Sequence, residues 1–496
     1  MRYFYLLMLF WLSNPIAGQV STRNYIRTRT MLNETGSSYM DLIVYYDGLG
    51  RPFQTVFKGI TPSNQNLVSL QEFDEMGRES KSWLPVVSTS DYVAAGDFIS
   101  NAPGSYNNDS RPYYQSVYEF SPLNRMVQQY GPGVAWHSGH SVTTEYLVNT
   151  TISPLNCINY SVNSSGSLVN NGNYASSRLY VTKTIDEDDN IGYAFIDKLE
   201  RVVLTRQMKD NVPHDTYYVY DDYGNLSFVL QPMYQDNKNL SLYAFQYKYD
   251  ERNRCVEKKQ PGAETVKYVY DMTDKLVFSQ DGCQRNDSLW SFFVYDVYGR
   301  VVVEGECSNS DKHVRTAGET VVLGTLMEGD TGLAYSGYQS SFDLVDPCVY
   351  VVNYYDTYDF RTRNGFSAYN FPEGTVSATG NLTGSILCTH GSSGFIYSAD
   401  YYDINKRIVK SLSSRVNGGM DTYATEYSFQ GRPLSVLHTH TDSSGYSLTE
   451  RYTYTYDHSS RLTRVSHQYD NNPSVLLLEH AYDELGRLQT DKLDNG

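Results

Sequence analysis

The sequence predicts an all-β protein made of stacked β-hairpins. The first observation is a turn signal that recurs along the 496-residue chain: an aromatic residue and Asp, followed three positions after the Asp by Gly. The second is the alternation of Tyr with polar residues in segments such as 451–456, which is the period of a β-strand. The third is the lack of any segment with a helical period and caps. We therefore expect little helix.

Residues 292–303 show the clearest unit, which reads as strand, tight turn and strand. Asp296 suits the first position of a type I turn, where its carboxylate can accept a bond from a backbone N–H two residues on. Gly299 suits the left-handed position that closes such a turn with a bulge. On this basis Asp296→Ala should lose one local hydrogen bond, whereas Gly299→Val should be the more damaging change.

Other segments repeat this turn. The positions assigned to the structural turn motif are Asp47, Gly50, Arg51, Asp74, Gly77, Arg78, Asp221, Gly224, Asp296, Gly299, Arg300, Asp483, Gly486 and Arg487. Degenerate copies begin at Phe195, Tyr249, Tyr270, Tyr355, Tyr402, Phe429 and Tyr456, and a remote copy begins at Tyr118. Where copies are adjacent, their Asp residues lie 21 to 29 positions apart. A period of this size indicates a repeat architecture with one supersecondary element in each unit.

Some copies lack Gly at the left-handed position. Asn and Asp tolerate a positive φ, and they are expected there as Asn253, Asp274 and Asp359. Glu200, Lys406 and Ser460 tolerate it less well, so those three turns are expected to change type or to be strained.

These units resemble the YD (Tyr-Asp) repeats of the RHS family, from about Tyr39 to the last residue. Residues 45–52, 110–113 and 130–133 also resemble the uncharacterised N-terminal domain of secreted RHS-type proteins of Bacteroidetes. The resemblance implies that the hairpins form a long spiralling sheet, part of a hollow β-shell around a C-terminal toxin or payload. The family's autoproteolytic core segment is missing, because the pattern around Asp346 differs, so no catalytic residue is carried over.

The predicted organisation has five parts. They are a signal peptide at 1–18, a divergent N-terminal β domain at 19–180, a repeat array at 181–305, an irregular insertion-rich β region at 306–400, and a second array at 401–496. The region 306–400 is rich in Gly, Ser and Thr, which indicates longer loops or distorted strands. Residues 494–496 are a turn signal with no return strand after them, so we expect the natural gene to continue or to be truncated there.

Composition narrows the class of function. The net charge of −16 and the lack of a basic block argue against nucleic-acid binding. The short apolar run at 3–12 followed by small residues predicts export and a mature N-terminus near Gln19. The six Cys residues are far apart, which favours separate thiols and leaves room for one or two bridges.

No catalytic, cofactor or metal motif stands out, so we predict that the chain is not an enzyme and needs no cofactor. Neither His137/His140 nor His438/His440 has the further nearby ligands that a metal site needs, and His438 and His440 are interpreted as solvated neighbours on one face of a strand. Segment 186–190 resembles the start of a calcium loop but lacks its Gly, so a hairpin turn explains it better.

Two functions fit the sequence. The first is an exported scaffold, part of a shell that encapsulates or presents a C-terminal toxin or payload in intercellular competition. The alternative is a surface adhesin that binds cell-surface glycans, because exposed Tyr rows and carboxylates can stack on and bond sugars.

Overall fold

The computed structural model describes residues 23–327, 332–333, 336–363, 365–388 and 394–493. About 50% of the chain is strand and 9% is helix, so the all-β prediction is confirmed. The strands are β1 (Asn24–Met31), β2 (Tyr39–Tyr46), β3 (Pro52–Lys58), β4 (Asn66–Phe73), β5 (Glu79–Trp83), β6 (Val86–Ser88), β7 (Tyr113–Tyr118), β8 (Met126–Tyr130), β9 (Ser141–Val148), β10 (Ile158–Val162), β11 (Leu168–Asn173), β12 (Tyr180–Ile185), β13 (Ile191–Ile196), β14 (Val202–Lys209), β15 (Val212–Tyr220), β16 (Leu226–Leu230), β17 (Ala244–Tyr249), β18 (Cys255–Lys259), β19 (Val266–Tyr270), β20 (Leu276–Gln280), β21 (Trp290–Tyr295), β22 (Val301–Cys307), β23 (Gly324–Leu326), β24 (Tyr338–Ser340), β25 (Cys348–Asp356), β26 (Ala378–Cys388), β27 (Phe395–Tyr402), β28 (Ile408–Ser414), β29 (Met420–Tyr427), β30 (Pro433–Thr441), β31 (Ser447–Tyr456), β32 (Leu462–Tyr469), β33 (Val475–Tyr482) and β34 (Leu488–Leu493).

Short helices occur in the connections, which the sequence analysis did not expect. They are α1 (Ala95–Asn101), α2 (Pro232–Asn237), α3 (Leu240–Tyr243), α4 (Gly282–Asp287) and α5 (Asp311–Ala317), with 3-10 turns at Ala102–Tyr106, Asp359–Thr362 and Phe366–Ala368. The sequence alternates from Leu242 to Tyr249, but strand β17 begins only at Ala244. The reason is a helix cap, because the side chain of Asn239 accepts a hydrogen bond from the backbone N–H of Leu242 and holds that turn helical.

Most strands belong to one 30-stranded antiparallel sheet that meanders through the chain. Neighbours in sequence are usually neighbours in the sheet, and β9 reaches β12 while β22 reaches β25 past two small hairpins, β10–β11 and β23–β24. Alternate connections of such a meander fall on the same edge of the sheet. The Asp turns of the aromatic-Asp units all lie on one edge, which we call the turn edge.

The sheet curls so that its last two Asp turns contact the loop between β3 and β4. Nε2 of His458 lies 2.9 Å from the carbonyl oxygen of Gly59, and the hydroxyl of Ser459 donates to the carbonyl of Ile60 (2.6 Å). The hydroxyl of Ser63 donates to Glu484 (2.7 Å), 421 residues away in sequence. Side chains make these three contacts, so the turn edge of the last strands meets the opposite edge of the first strands, at the loop between β3 and β4, without a shared β ladder.

Three apolar clusters fill the space between the sheet and segments inserted into its connections. The first packs Val56, Val68 and Trp83 against Phe98 of α1. The second places hairpin β10–β11 over Phe195, Leu204 and neighbouring residues.

The third and largest cluster joins the sheet to α5 and to the segment around Phe360, Phe366 and Phe371. Region 306–400 was expected to be loops or distorted strands. It contains a long connection and, in β25–β26, a strand pair with two register shifts, and it also supplies much of this core, because its inserted aromatics pack on the sheet.

The last strands differ from the rest in burial. From Arg415 to Leu493 the buried residues are Ser435, Ser459 and Ser460, and every apolar side chain there keeps partial exposure. Among the described residues, no inserted segment forms a buried apolar cluster on β29–β34.

The predicted signal peptide and the final turn signal at 494–496 lie outside the described residues. All six Cys lie within them and carry free thiols. Burial raises the pKa of the Cys157 thiol to about 12, so it stays protonated in the second apolar cluster. Within the described ranges, no helix has both the length and the apolar character to cross a bilayer.

Candidate functional site: the repeated turn and the latch between units

The turn at Asp296 shows how the motif works. Its backbone N–H donates to the carbonyl of Arg300 (2.9 Å), and the N–H of Gly299 donates to the carbonyl of Asp296 (3.0 Å). One carboxylate oxygen of Asp296 accepts from the backbone N–H groups of Tyr298 and Arg300 (both 2.9 Å). The other accepts from Nε of Arg300 (2.7 Å). The pairing register shifts between Val294 and Tyr295, which confirms the predicted bulge.

The expectation of one local hydrogen bond for the turn Asp is therefore wrong. Eight turns share all three carboxylate bonds, and they begin at Asp47, Asp74, Asp197, Asp250, Asp296, Asp403, Asp457 and Asp483. Partial burial opposes ionisation of Asp197, but the bonds from the backbone and guanidinium of Arg201 outweigh it and lower the pKa of Asp197. The carboxylate thus organises the whole loop.

The left-handed position of the turn behaves as predicted for Gly, with Gly299 at φ 82°. Asn253 and Asp274 occupy it at 60° and 65°. Glu200, Lys406 and Ser460 do so as well, at 61°, 62° and 63°. These three turns keep the same hydrogen bonds, so of the two expected outcomes, a changed turn type or a strained turn, the structure shows the strained turn.

The copy assigned to Tyr355 is not a turn of this kind. Asp359 starts a 3-10 helix instead of taking a positive φ, and it is Asp356 that has φ 72°. The carboxylate of Asp356 accepts from both terminal nitrogens of Arg300 (3.0 and 2.7 Å) and from the N–H of Gly380 (2.7 Å). These bonds from outside the loop replace the local ones, and the paired carboxylates raise the pKa of Arg300.

Another copy is shifted by two residues. The unit assigned to Phe429 begins at Tyr427, with Ser428 in the Asp position and Gly431 at φ 86°. The hydroxyl of Ser428 accepts from the backbone N–H of Arg432 (3.1 Å). Phe429 lies in the turn itself and is 52% exposed, which explains why the aromatic-Asp pattern misplaced this unit.

The motif also fastens each unit to the next. The guanidinium of Arg407 stacks on the ring of Tyr427, with Cζ 5.0 Å from the ring centroid. The hydroxyl of Tyr427 donates to the carbonyl of Ile408, the residue after that Arg (3.0 Å). We call this arrangement the latch: the Arg of one turn, the Asp that holds it, and the aromatic residue of the next unit at the position that usually precedes Asp.

The latch repeats along the turn edge. A cation stacks on the next aromatic ring in the pairs Arg51–Phe73, Arg78–Tyr118, Arg125–Tyr146, Arg201–Tyr220, Arg254–Tyr270, Lys275–Tyr295, Arg300–Tyr355, Arg407–Tyr427, Arg432–Tyr456 and Arg461–Tyr482. Hydroxyl-to-carbonyl bonds join Tyr118–Glu79, Tyr146–Met126, Tyr220–Val202, Tyr249–Leu226, Tyr270–Cys255, Tyr295–Leu276, Tyr355–Val301, Tyr402–Leu382, Tyr427–Ile408, Tyr456–Pro433 and Tyr482–Leu462. The recurrence of Tyr beside Asp therefore has a physical cause, which is contact with the preceding unit.

Sequence analysis missed members of this set. Tyr146 takes part in a latch with Arg125 although no Asp follows it. The same turn geometry occurs away from the aromatic-Asp units, at Asn163 and Asp442. A search for Asp or Asn followed three residues later by Gly, without the aromatic, finds both.

The remaining candidates have structural partners. The carboxylate of Asp186 accepts from the N–H groups of Asp188 and Asn190 (3.0 and 2.8 Å), which confirms a hairpin turn at that position. His137 stacks on Tyr130, with ring centroids 4.7 Å apart, while His140 contacts the carbonyl of Glu187.

The other His pair gathers around a carboxylate. Nε2 of His438 and Nδ1 of His440 lie 3.1 and 2.8 Å from Asp421, as expected for neighbours on one face of a strand. Arg415 also contacts that carboxylate (3.2 Å), so a fixed cation is already present there. No group of three or more His, Cys, Asp or Glu suited to hold a metal ion occurs in the part of the chain that the structure describes.

A buried ion pair also escaped the sequence analysis. Arg206 is 2% exposed and donates two bonds to Asp215 (2.7 and 2.6 Å) and one to the carbonyl of Pro154 (2.6 Å). This pair ties β14 and β15 to the segment before hairpin β10–β11. Its two residues are nine positions apart on adjacent strands, so only the pairing register reveals it.

Comparison with known proteins adds one family match. Residues 19–148 match a family described as a domain of unknown function, DUF6443. The match lies inside 19–180, the segment expected to resemble an uncharacterised N-terminal domain. No curated protein matches the chain.

Solved structures of TcdB2-TccC3 are among those to which the chain is similar. The TcdB2-TccC3-TEV crystal structure is 11% identical over 92% of this chain, with a TM-score of 0.44. The structure without the hypervariable C-terminal region is 11% identical over 95% of this chain, with a TM-score of 0.47. The chain spans 22% of the length of each.

Proposed function

We propose that this chain is an exported structural scaffold, a segment of an RHS-type β-shell that encloses or presents a C-terminal toxin or payload. The observation that carries the proposal is the curl of the sheet, in which the turns at 457–461 and 483–487 return to the loop at 59–66. A curled sheet whose units are fastened to one another along one edge can surround another segment of the chain.

The last strands add a second support. A sheet normally buries one face against another layer. Strands β29–β34 bury no apolar side chain, whereas the earlier strands are covered by their own inserts. A payload segment lying against this uncovered face would supply the missing layer.

Protease protection tests the enclosure. A flexible segment carrying a protease site is appended after Gly496, and the same segment is placed before Gln19 in a second protein. The proposal predicts cleavage at least tenfold slower at the C-terminal position. Equal cleavage at both positions would contradict enclosure.

A closure variant sharpens this experiment. His458→Ala combined with Ser459→Ala removes two contacts that join the last turns to the loop at 59–66, and it should reduce the protection. Ser443→Ala combined with Ser444→Ala, at the opposite edge, is the matched control and should retain it.

Export is tested separately by the mass of the mature protein in its native host. The proposal predicts an N-terminus near Gln19. Retention of Met1 in the exported protein would contradict it.

A further inference from the structure

Two of the tyrosines that make the hydroxyl bond, Tyr249 and Tyr402, have no stacking cation among the described residues, and the unit of Tyr249 is the one considered below. Residue 225 is Asn at the position where most other turns carry Arg, and no cation of the described residues stacks on Tyr249, the aromatic of the next unit. Tyr249 still donates its hydroxyl to the carbonyl of Leu226 (2.8 Å), so the ring holds its usual place. Burial raises the pKa of Tyr249 to about 12, which keeps this hydroxyl as a donor.

A cavity of about 390 Å³ lies where the guanidinium would be. Its lining includes Asp221, Asn225, Tyr249, Asp250 and Asn253, which belong to the two turns that an Arg at this position would join. Tip residues of hairpin β10–β11, 162–166, line it as well. The cavity is therefore an opening in the row of latches, walled by a hairpin that the other units lack.

The groups around the cavity suit a cation. Asp221 and Asp222 take part in no ion pair among the described residues, whereas Asp250 is paired with Arg254 (2.7 Å). Asn225 replaces part of what an Arg would do here, because its amide donates to Asp221 and to Asn253 (both 3.0 Å). It has neither the positive charge of a guanidinium nor its two parallel N–H donors. The one lysine on the lining, Lys248, pairs with Glu257 (2.7 Å).

A second observation points to a ligand. Ser227 lines the cavity and is 5% exposed, yet its hydroxyl has no hydrogen-bond partner among the described residues. The hydroxyl lies on the lining of the cavity, where a group that enters can reach it. A polar group entering the cavity would provide a partner.

We infer that this cavity binds a guanidinium group, with the planar cation stacked on Tyr249 and bonded to Asp221 and the hydroxyl of Ser227. Guanidinium is favoured over ammonium because it matches a carboxylate bidentately and stacks on aromatic faces. The neighbouring turns make this same contact with their own Arg, as Arg254 does with Asp250 and Tyr270. The ligand is either a free small guanidine or an arginine side chain presented by a partner protein. This inference does not depend on the proposed shell function.

The probe is N-acetyl-arginine methylamide, titrated into the purified full chain and followed by calorimetry. N-acetyl-citrulline methylamide, which has the same shape without charge, and the lysine analogue are the controls. The inference predicts one site and at least tenfold weaker binding of both controls. Equal binding of the citrulline analogue would overturn it.

The chain itself provides the decisive variant. Asn225→Arg should fill the cavity with an internal guanidinium, so it should abolish binding and raise the melting temperature. Unchanged binding by this variant, if it is folded, would overturn the inference.

Two variants at Tyr249 test the inference even if Asn225→Arg does not fold. Tyr249→Phe and Tyr249→Leu both lose the bond to Leu226, but only the first keeps an aromatic face. Binding should survive in Tyr249→Phe and fall at least tenfold in Tyr249→Leu, and equal affinities would refute the stacking.

An arginine-containing peptide separates the two sources of ligand. Binding of the peptide at least tenfold tighter than that of the single residue would assign the site to a partner's arginine. Equal affinities would assign it to a free guanidine.

Discussion

Removing the carboxylate of Asp296 should open its hairpin more than adding a methyl group at Gly299. Asp296→Ala removes the acceptor of two backbone N–H groups and one of the two carboxylates that hold Arg300. A hydrogen bond contributes about 0.5–1.5 kcal/mol net, and more where one partner is charged. Because water replaces part of these bonds, we expect a loss of about 2–4 kcal/mol.

Gly299→Ala tests the free-energy cost of the left-handed backbone conformation by itself. A left-handed conformation costs a non-Gly residue roughly 1–2 kcal/mol. The added methyl group would lie 3.3 Å from Cε of Lys275, a flexible side chain that can move. With Ala at position 299, in place of the Val considered in the sequence analysis, we therefore expect Asp296→Ala to be the more damaging change.

Native-state hydrogen exchange measures the difference locally, which matters because a long repeat array need not unfold in two states. In peptides covering 290–307, Asp296→Ala should raise the opening constant about 30- to 1000-fold and Gly299→Ala about 5- to 30-fold, at roughly tenfold per 1.4 kcal/mol. Val297→Ala, a change at a side chain that is 73% exposed in the same turn, is the control and should have little effect. A larger effect of Gly299→Ala than of Asp296→Ala would refute the reasoning.

Three further predictions follow from named contacts. Glu200→Gly should stabilise its hairpin by about 0.5–1 kcal/mol, because it relieves the strain of φ 61° while adding chain entropy, and a lower melting temperature would contradict this. Asp215→Ala should lower the stability by about 3–5 kcal/mol, since it leaves the buried Arg206 unpaired, and a melt unchanged within error would disprove the burial. Asp41 accepts bonds from Arg29 and Arg27, and these lower its pKa to about 2. The ionised carboxylate therefore stabilises the fold at pH values above its ordinary pKa of 3.8, and this stabilisation is lost as pH falls through about 2. Hydrogen exchange in β1 should rise over that pH range, and Asp41→Asn should remove the pH dependence.

The sequence predicted the fold class and most of the Asp turns because both depend on local signals. Period-two alternation and the Asp and Gly of the turn identify hairpins without knowledge of distant contacts. The latch was not predicted, because the Arg of one unit and the Tyr of the next are 16 residues or more apart and meet only through the register of the sheet. Two positions show where the motif fails as a predictor. At Asp356, bonds to distant residues replace the local turn, and after Tyr427 a Ser stands in place of the Asp.

The inserted core was harder to predict for a related reason. Phe360, Phe366 and Phe371 lie in a segment whose Gly, Ser and Thr content resembles a loop. Their burial depends on the sheet face beneath them, which no local pattern encodes. The cavity at Asn225 likewise becomes visible only when equivalent turns are compared in space.

The most direct test of the latch is a double-mutant cycle on Arg407 and Tyr427. Arg407→Met keeps the length of the stem without the charge, and Tyr427→Leu removes the ring and its hydroxyl. Opening free energies from hydrogen exchange in peptides covering 403–432 should show a coupling of about 0.5–1 kcal/mol between the two changes. Additivity within about 0.3 kcal/mol would show that the two side chains do not stabilise each other, and the account of how the units are fastened would be wrong.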